Sequence, residues 1–284
     1  MNLRRRQLPD GWYPGDDVEL RRLVASWKLP ERDGEAISAI APHAGWLFSG
    51  SLAARAIKDL ARAETVVVIG GHLSEGKNAL AAFDEGFETP LGSLDNDLEL
   101  LDRLAKEVFL SPDLTADNTV EIQLPLVVAL LAPRRVLWLR APNGKAAMAL
   151  GESLYRASRD LGRRITVLGS TDLTHYGPDY GFEPRGRGAE ALRWVRDIND
   201  KSFIDALLSF DAAGALSAGN ERGAACSSGA AAAALAFTLS YAKGEGKEPQ
   251  LKSSLLAYAT SHDVRPASSF VGYCALAYYA GARP

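Results

Sequence analysis

The sequence predicts an α/β fold: a single domain over residues 1–284, with a central, mostly parallel or mixed sheet covered by helices on both faces. Three observations predict it. Short apolar runs alternate with helical patterns along the chain. Two of the runs, TVVVIG at 65–70 and ITVLGS at 165–170, are nearly continuous and rich in β-branched residues. That is the pattern of strands buried on both faces. No repeat, low-complexity linker or composition break divides the 284 residues.

The elements follow in order. Residues 1–35 are polar and broken by proline and glycine, so they are expected to form an irregular entry. Residues 37–42 (ISAIAP) read as a strand, and 50–63 read as a helix with apolar groups at three- and four-residue spacing. After the 65–70 strand, residues 95–107 and 119–131 read as helices, and Pro125 is expected to kink or end a turn of the second. Residues 135–140 (RVLWLR) read as a strand, 144–160 as a helix, and 165–170 as a strand. A long amphipathic helix is expected at 188–208 and an Ala-rich one at 224–242. The chain closes with strands at 251–261 and 269–279, joined by a turn at His262–Pro266 and expected to pair antiparallel.

Composition narrows the function classes. Hydrophobic residues are 47% and charged residues 24%, a globular and not a disordered profile. Lys plus Arg is 32 and Asp plus Glu is 35, for a net charge of −3. The basic excess of a nucleic-acid binder is missing, so no nucleic-acid partner is expected. The two cysteines, Cys226 and Cys274, cannot build a disulfide framework and point to a reducing cytoplasm. The opening MNLRRRQLPDGWYPGDD has three arginines with no apolar run behind them, so no secretory leader is expected. The uncharged stretch from Gly223 to Ala242 has the 20 residues a bilayer requires, but it is mostly Ala, Ser and Gly. It reads as a helix packed closely on a sheet, and no membrane partner is expected.

Three of the four histidines stand where an expected strand runs out. His43 follows the first strand in IAPHAGW, His72 the second in VVVIGGH, and His175 the 165–170 strand in GSTDLTHYG. Open α/β sheets bind ligands beyond the carboxyl ends of their strands. Any one of these rings could simply cap a loop, but three at one kind of position converge on the edge where a site is expected. The glycines that flank them, Gly45, Gly70, Gly71, Gly169 and Gly177, permit sharp turns and close approach. Asp172 and His175 are three residues apart. On a helical turn they would face the same way, so the carboxylate could orient the imidazole as an acid or base. The competing reading is a helix cap from Ser170, Thr171 or Asp172. Cys226 stands at the expected start of the Ala-rich helix, where a thiolate is favoured. Cys274 lies within an apolar strand and reads as a buried structural thiol. Glu121, among apolar residues in TVEIQLPLV, is expected to be a partly buried support for the site.

Two other signatures fail. Gly71 to Lys77 matches GxxxxGK after a strand, but Asn78 replaces the magnesium-binding hydroxyl and no helix is expected after it. No GxSxG elbow surrounds any serine.

Taken together, APHAGWLFSG at 41–50, VVVIGGHLSEG at 66–76, TVEIQLPLV at 119–127, GSTDLTHYG at 169–177, Cys226 before the Ala-rich helix, and YATSHDV with FVGYCALAY at 258–278 resemble the MEMO family. The resemblance implies a fold like that of the class III extradiol dioxygenases, with a metal site at the sheet edge. It implies His43, His72 and Cys226 as metal ligands, with Asp172 and His175 as the acid/base pair. Fe(II) is the first expected metal, with copper or zinc as alternatives. Family association implies a radical SAM protein and an AMMECR-type protein as partners. Asn118 and Thr119 stand where the family usually has His-Ser, Ser227 stands where it often has Gly, and His262 takes no family role. The expected function is a metal-dependent oxidoreductase acting on a small, aromatic-type substrate. The alternatives are a non-catalytic metal-binding or adaptor protein whose cleft holds a peptide, and a hydrolase with a metal-activated water.

Overall fold

The computed structural model describes residues 2–281. Twelve strands are joined in one sheet among them. The strands are β1 (Leu3–Arg4), β2 (Ser38–Ala41), β3 (Thr65–Leu73), β4 (Ala79–Ala81), β5 (Gly86–Thr89), β6 (Gly92–Asn96), β7 (Leu110–Pro112), β8 (Arg135–Pro142), β9 (Ile165–Ser170), β10 (His175–Tyr176), β11 (Leu251–Thr260) and β12 (Phe270–Ala280). The main path runs β1-β5-β6-β8-β3-β9-β2-β12-β10. Strands β6, β8, β3, β9 and β2 are all parallel. β12 adds antiparallel to β2, and β11 and β10 add antiparallel to β12, so the sheet is mixed.

The parallel block fixes where a site can form. Its strands all end at one edge, and the β-branched run of β3 lies at its centre. Val67 and Ile69 point into one core layer with Leu137, Leu139 and Val167, while Val66 and Val68 point into the other with Val136, Trp138 and Leu168. This two-fold alternation, apolar on both sides, is why the strand reads as continuous and not as alternating.

Helices α1 (Asp17–Ser26) and α2 (Trp46–Asp59) cover one face, with α4 (Asn118–Glu121) and α5 (Leu124–Leu131). The other face is covered by α3 (Leu98–Leu104), α6 (Lys145–Asp160), α8 (Asp200–Leu208), α9 (Ala212–Arg222) and α10 (Ser228–Gly244). The Ala-rich α10 is buried on nearly every side through Ala236. Its small side chains let it lie close to α6 and β9: a Cβ at Gly169 would stand 2.8 Å from the Ala230 carbonyl oxygen. No helix among the described residues is long and apolar enough to cross a membrane.

Several elements differ in detail from expectation. The 1–35 segment is not wholly irregular: Asp16 caps α1 by accepting from the Glu19 amide at 2.9 Å. The 119–131 helix is two, α4 and α5, because Pro125 supplies no amide and starts a new first turn. The 188–208 helix is α7 (Ala189–Trp194), a π turn (Val195–Asn199) and α8. The 262–266 turn contains α11 (Ser261–Val264), closed by a Thr260–Asp263 capping box. The GxxxxGK stretch leads into β4, as its failed motif context implied.

Glu121 is buried, at 4% exposure, but its partners are not in the histidine site. Its carboxylate accepts from the amides of Gln7 (2.9 Å) and Leu8 (3.0 Å) and from the Tyr13 hydroxyl (2.9 Å). It therefore pins the N-terminal segment over α4. That segment reaches the site only indirectly, through the Trp12 carbonyl, which accepts from the Trp46 amide at 2.8 Å.

Glu121→Ala is expected to cost about 1–3 kcal/mol, because two amides and a phenol lose a charged acceptor. Amide exchange at Leu8 should accelerate more than exchange in β3; equal protection at Leu8 in both proteins would refute the pinning role. Cys274, fully buried on β12 opposite Tyr258, has its thiol pushed up by burial and by the Asp200 and Asp172 carboxylates. Cys274→Ser is expected to lower stability by about 1–3 kcal/mol, read by thermal or urea melting, since the new hydroxyl lacks a partner.

Candidate metal centre

The carboxyl edge of the parallel block gathers the predicted residues. His43 follows β2 by two positions and is buried. Its backbone amide donates to Asp172 Oδ1 at 2.7 Å, and its ring Nδ1 stands 3.3 Å from Ser170 Oγ. Ring Nε2 faces Cys226 Sγ at 3.2 Å. His72 lies near the end of β3 with φ +58°, a left-handed conformation that costs a residue with a Cβ. The β3–β8 register shifts at this twist, between Gly70 and Leu73, and a ring nitrogen of His72 lies near His43 and Cys226. The His43 and His72 rings sit edge to face with centroids 4.9 Å apart.

Cys226 lies in the junction between α9 and α10, two residues before α10 begins. Neighbouring strand ends hold it there. Its amide donates to the Asp172 carbonyl at 3.2 Å, and its carbonyl accepts from Asn143 Nδ2 at 3.2 Å. Glycine makes the approach possible: a Cβ at Gly71 would collide with Ser227, and one at Gly70 with the Thr119 hydroxyl. As a result, one ligand atom each from His43, His72 and Cys226 lies within 4.8 Å of the other two.

The surrounding groups set tautomers and charge. Asp117 Oδ2 stands 3.0 Å from His72 Nδ1, which leaves Nε2 free to face the site. Asp117 is itself fixed by Arg140 Nη2 at 3.1 Å and by the Thr119 hydroxyl. Burial opposes its charge, but the bonds from His72 and Thr119 and the Arg140 charge hold its carboxyl well below the usual range. Burial likewise disfavours the His72 cation, but the Asp117 bond and Cys226 outweigh it and push that imidazole up to about 10. At Cys226, burial raises the thiol, while the His43 charge and the neighbouring His175, His43 and His72 imidazoles pull it well below its ordinary value. The surrounding rings thus favour the thiolate, the form of cysteine that ligates metal.

His175 and Asp172 come together, though not on a helix. The segment after β9 is extended: Leu173 bridges Ala225, and His175 pairs with Val271 in β10. The capped-helix alternative is therefore not what forms. Asp172 is buried between two rings, its Oδ2 3.9 Å from both His43 Nε2 and His175 Nε2. His175 Nε2 has no hydrogen-bond partner among the described residues. The Tyr180 ring stands beside it, centroids 4.9 Å apart. His72 and His175 side chains each remain 34% exposed, so the centre opens on their side. His262 is elsewhere, with its Nδ1 3.1 Å from the Ala267 carbonyl oxygen within its own loop.

Some supporting residues escaped the sequence reading. Asp117 reads as a cap, and it does cap α4; its bond to His72 depends on how α4 docks on β3. Arg140 carried a usable signal, a charge inside the apolar run of β8. Its guanidinium also bonds the Gly71 carbonyl at 2.9 Å and Asp113 at 3.2 Å. Asn199 and Asp200 had no signal. The π turn before α8 shifts the helical phase so that both are buried and reach Thr174, and Asn199 also bonds the Arg222 carbonyl at 3.1 Å. These two residues tie the His175 loop to the segment leading into Cys226. Asn118 Nδ2 donates to the His43 carbonyl at 2.9 Å, and Thr119 Oγ1 accepts from the Gly71 amide at 3.2 Å. The Asn118–Thr119 pair thus braces both histidine loops.

Comparison with known proteins places this geometry. The family model for Memo-like proteins matches residues 4–277. A MEMO1 family protein of Archaeoglobus fulgidus is 27% identical over 281 residues, covering 97% of this chain and 99% of its own. One of Pyrococcus furiosus is 31% identical over 295 residues, covering 96% and 98%. Among solved structures, an uncharacterized protein from Escherichia coli K12 is similar with a TM-score of 0.51 at 11% identity, over 84% of this chain and 98% of its own. That last likeness is one of fold alone. With the strand-end segments in order and the match running nearly end to end, the chain belongs to the MEMO family.

Proposed function

We propose that the protein binds one Fe(II) through His43, His72 and Cys226 and acts as a non-haem oxidoreductase of dioxygenase type on a small phenolic substrate. The observation that carries this reading is the convergence of two imidazole nitrogens and one sulfur within 4.8 Å of one another. The donor set fits: His72 keeps its Nδ1 proton on Asp117, and Cys226 is poised as thiolate. Two imidazoles and a thiolate on one side leave other positions open, as in a facial triad with sulfur in place of carboxylate. A bound iron would supply redox chemistry and Lewis acidity there; copper is the next choice for a thiolate-containing set, and zinc would supply Lewis acidity alone.

The chain's own residues supply proton handling and orientation. His175, whose side chain is one-third exposed beside the centre and whose buried Nε2 has no hydrogen-bond partner among the described residues, is placed to accept a phenolic proton and return it later. Asp172 lies 3.9 Å from that nitrogen and favours the protonated ring. The Tyr180 ring offers an aromatic substrate a flat neighbour next to the same nitrogen.

Anaerobic titration with Fe(II) is expected to give one site per chain. Cys226→Ser should weaken it by about 100-fold or more, at least the effect of losing a ligand's supporting contact, while Cys274→Ser leaves it unchanged. Equal affinity in wild type and Cys226→Ser would remove sulfur from the ligand set. With iron loaded, O₂ uptake across a panel of catechols and simpler phenols is the test of turnover. His175→Ala should lower that rate by about 10²–10⁴-fold with iron affinity retained. Iron bound at the site without O₂ uptake on any phenol would favour a storage or adaptor role, and turnover with zinc and no O₂ would favour hydrolysis.

A further inference from the structure

The parallel strands begin at the edge opposite the histidines, and there the described residues enclose a cavity of about 790 Å³. Ile37, Ile165 and Thr166 lie on it, at the starts of β2 and β9. One wall is aromatic: Tyr155 of α6 meets Phe237 and Tyr241 of α10 with ring centroids 6.3 and 6.1 Å apart. The Thr166 hydroxyl is buried and has no hydrogen-bond partner among the described residues.

The charges around this cavity do not balance. Arg159 is taken by Glu245, and Arg163 by Asp97 and Glu99. Arg62, Arg164 and Lys247 also line the cavity, and none has a carboxylate partner among the described residues. Arg62 reaches only the Leu131 carbonyl at 3.2 Å, and Lys247 Nζ lies 5.6 Å from the centre of the Tyr241 ring. Against these three cations the lining has one carboxylate, Glu35, without an ion pair among the described residues.

We propose that this cavity binds an organic phosphate carrying a planar ring, a ligand of the nucleotide class. Its volume is that of a small-molecule site, and its aromatic wall suits a flat ring. Two unpaired guanidinium groups and an ammonium call for more than one negative charge, and guanidinium matches phosphate oxygens in pairs. A single carboxylate would leave part of this charge unmatched. The site is separate from the metal centre by the length of β9, roughly 20 Å for six residues. It does not depend on the redox reading of that centre.

The test is calorimetric titration of the full chain with ADP, and with adenosine and inorganic pyrophosphate in parallel. Saturable 1:1 binding of ADP is expected, with adenosine and pyrophosphate each weaker by about tenfold or more, one factor of ten being about 1.4 kcal/mol. Arg164→Glu and Lys247→Glu, both surface changes whose folding is checked by thermal melting, should each weaken ADP by a similar factor. Cys226→Ser should leave it unchanged. Absence of saturable ADP binding would overturn the proposal. So would pyrophosphate binding as tightly as ADP, binding indifferent to both charge reversals, or binding lost in Cys226→Ser.

Discussion

Burying a cysteine normally makes its thiol harder to ionise, since a charge loses its hydration. At Cys226 burial acts in that direction and is overcome by the imidazoles around it. Reversing the burial effect requires those rings to arrive from three separate loops and to stop within hydrogen-bond reach of one sulfur. A parallel sheet provides this because its strands all end at the same edge. Helix α10 must then begin at that edge, so the chain crosses the sheet on small side chains that let helix and strand backbones lie close. The alanine run, the glycines of β3 and β9, and the parallel order of β8, β3, β9 and β2 all serve this one placement.

The electrostatics extend outward in a graded way. Asp117 holds His72, Arg140 holds Asp117, and Asp113 holds Arg140. Each charge in this chain of contacts faces a partner of opposite sign, which offsets the cost of burying it. Asn118, next to Asp117, reaches the backbone with its amide, donating to the His43 carbonyl. Asn118 thus acts as a brace on the His43 loop. His175 is left with a buried ring nitrogen that no hydrogen bond engages among the described residues.

Much of this was legible in the sequence, for physical reasons that differ by element. Strands β3 and β9 announced themselves because a strand buried on both faces must be apolar throughout. His43, His72 and His175 were legible as strand-end residues, and a parallel sheet turns sequence position into spatial position. Cys226 and Cys274 separated by the same logic, one at a loop-helix junction and one inside a strand. What sequence did not show depends on contacts between distant segments. Glu121 read correctly as buried, but its partners, Gln7, Leu8 and Tyr13, lie more than a hundred residues away. Asp172 and His175 were brought together by an extended segment and not by helical spacing, so the pairing was right and its geometric reason was not. The π turn left no mark in the pattern, because one extra residue in a helical turn looks like ordinary periodicity drift.

His72 occupies a backbone conformation in which glycine would be at ease and histidine is not. Glycine there would relax the chain and remove a donor from the centre in the same stroke. On the proposed reading, stability and metal affinity are therefore opposed at this one position. Drift toward stability would delete the ligand, and keeping the ring means tolerating local strain. Residue 72 can thus serve as a marker across relatives with this backbone. On the same reading, a relative with glycine there would lack one of the three donors.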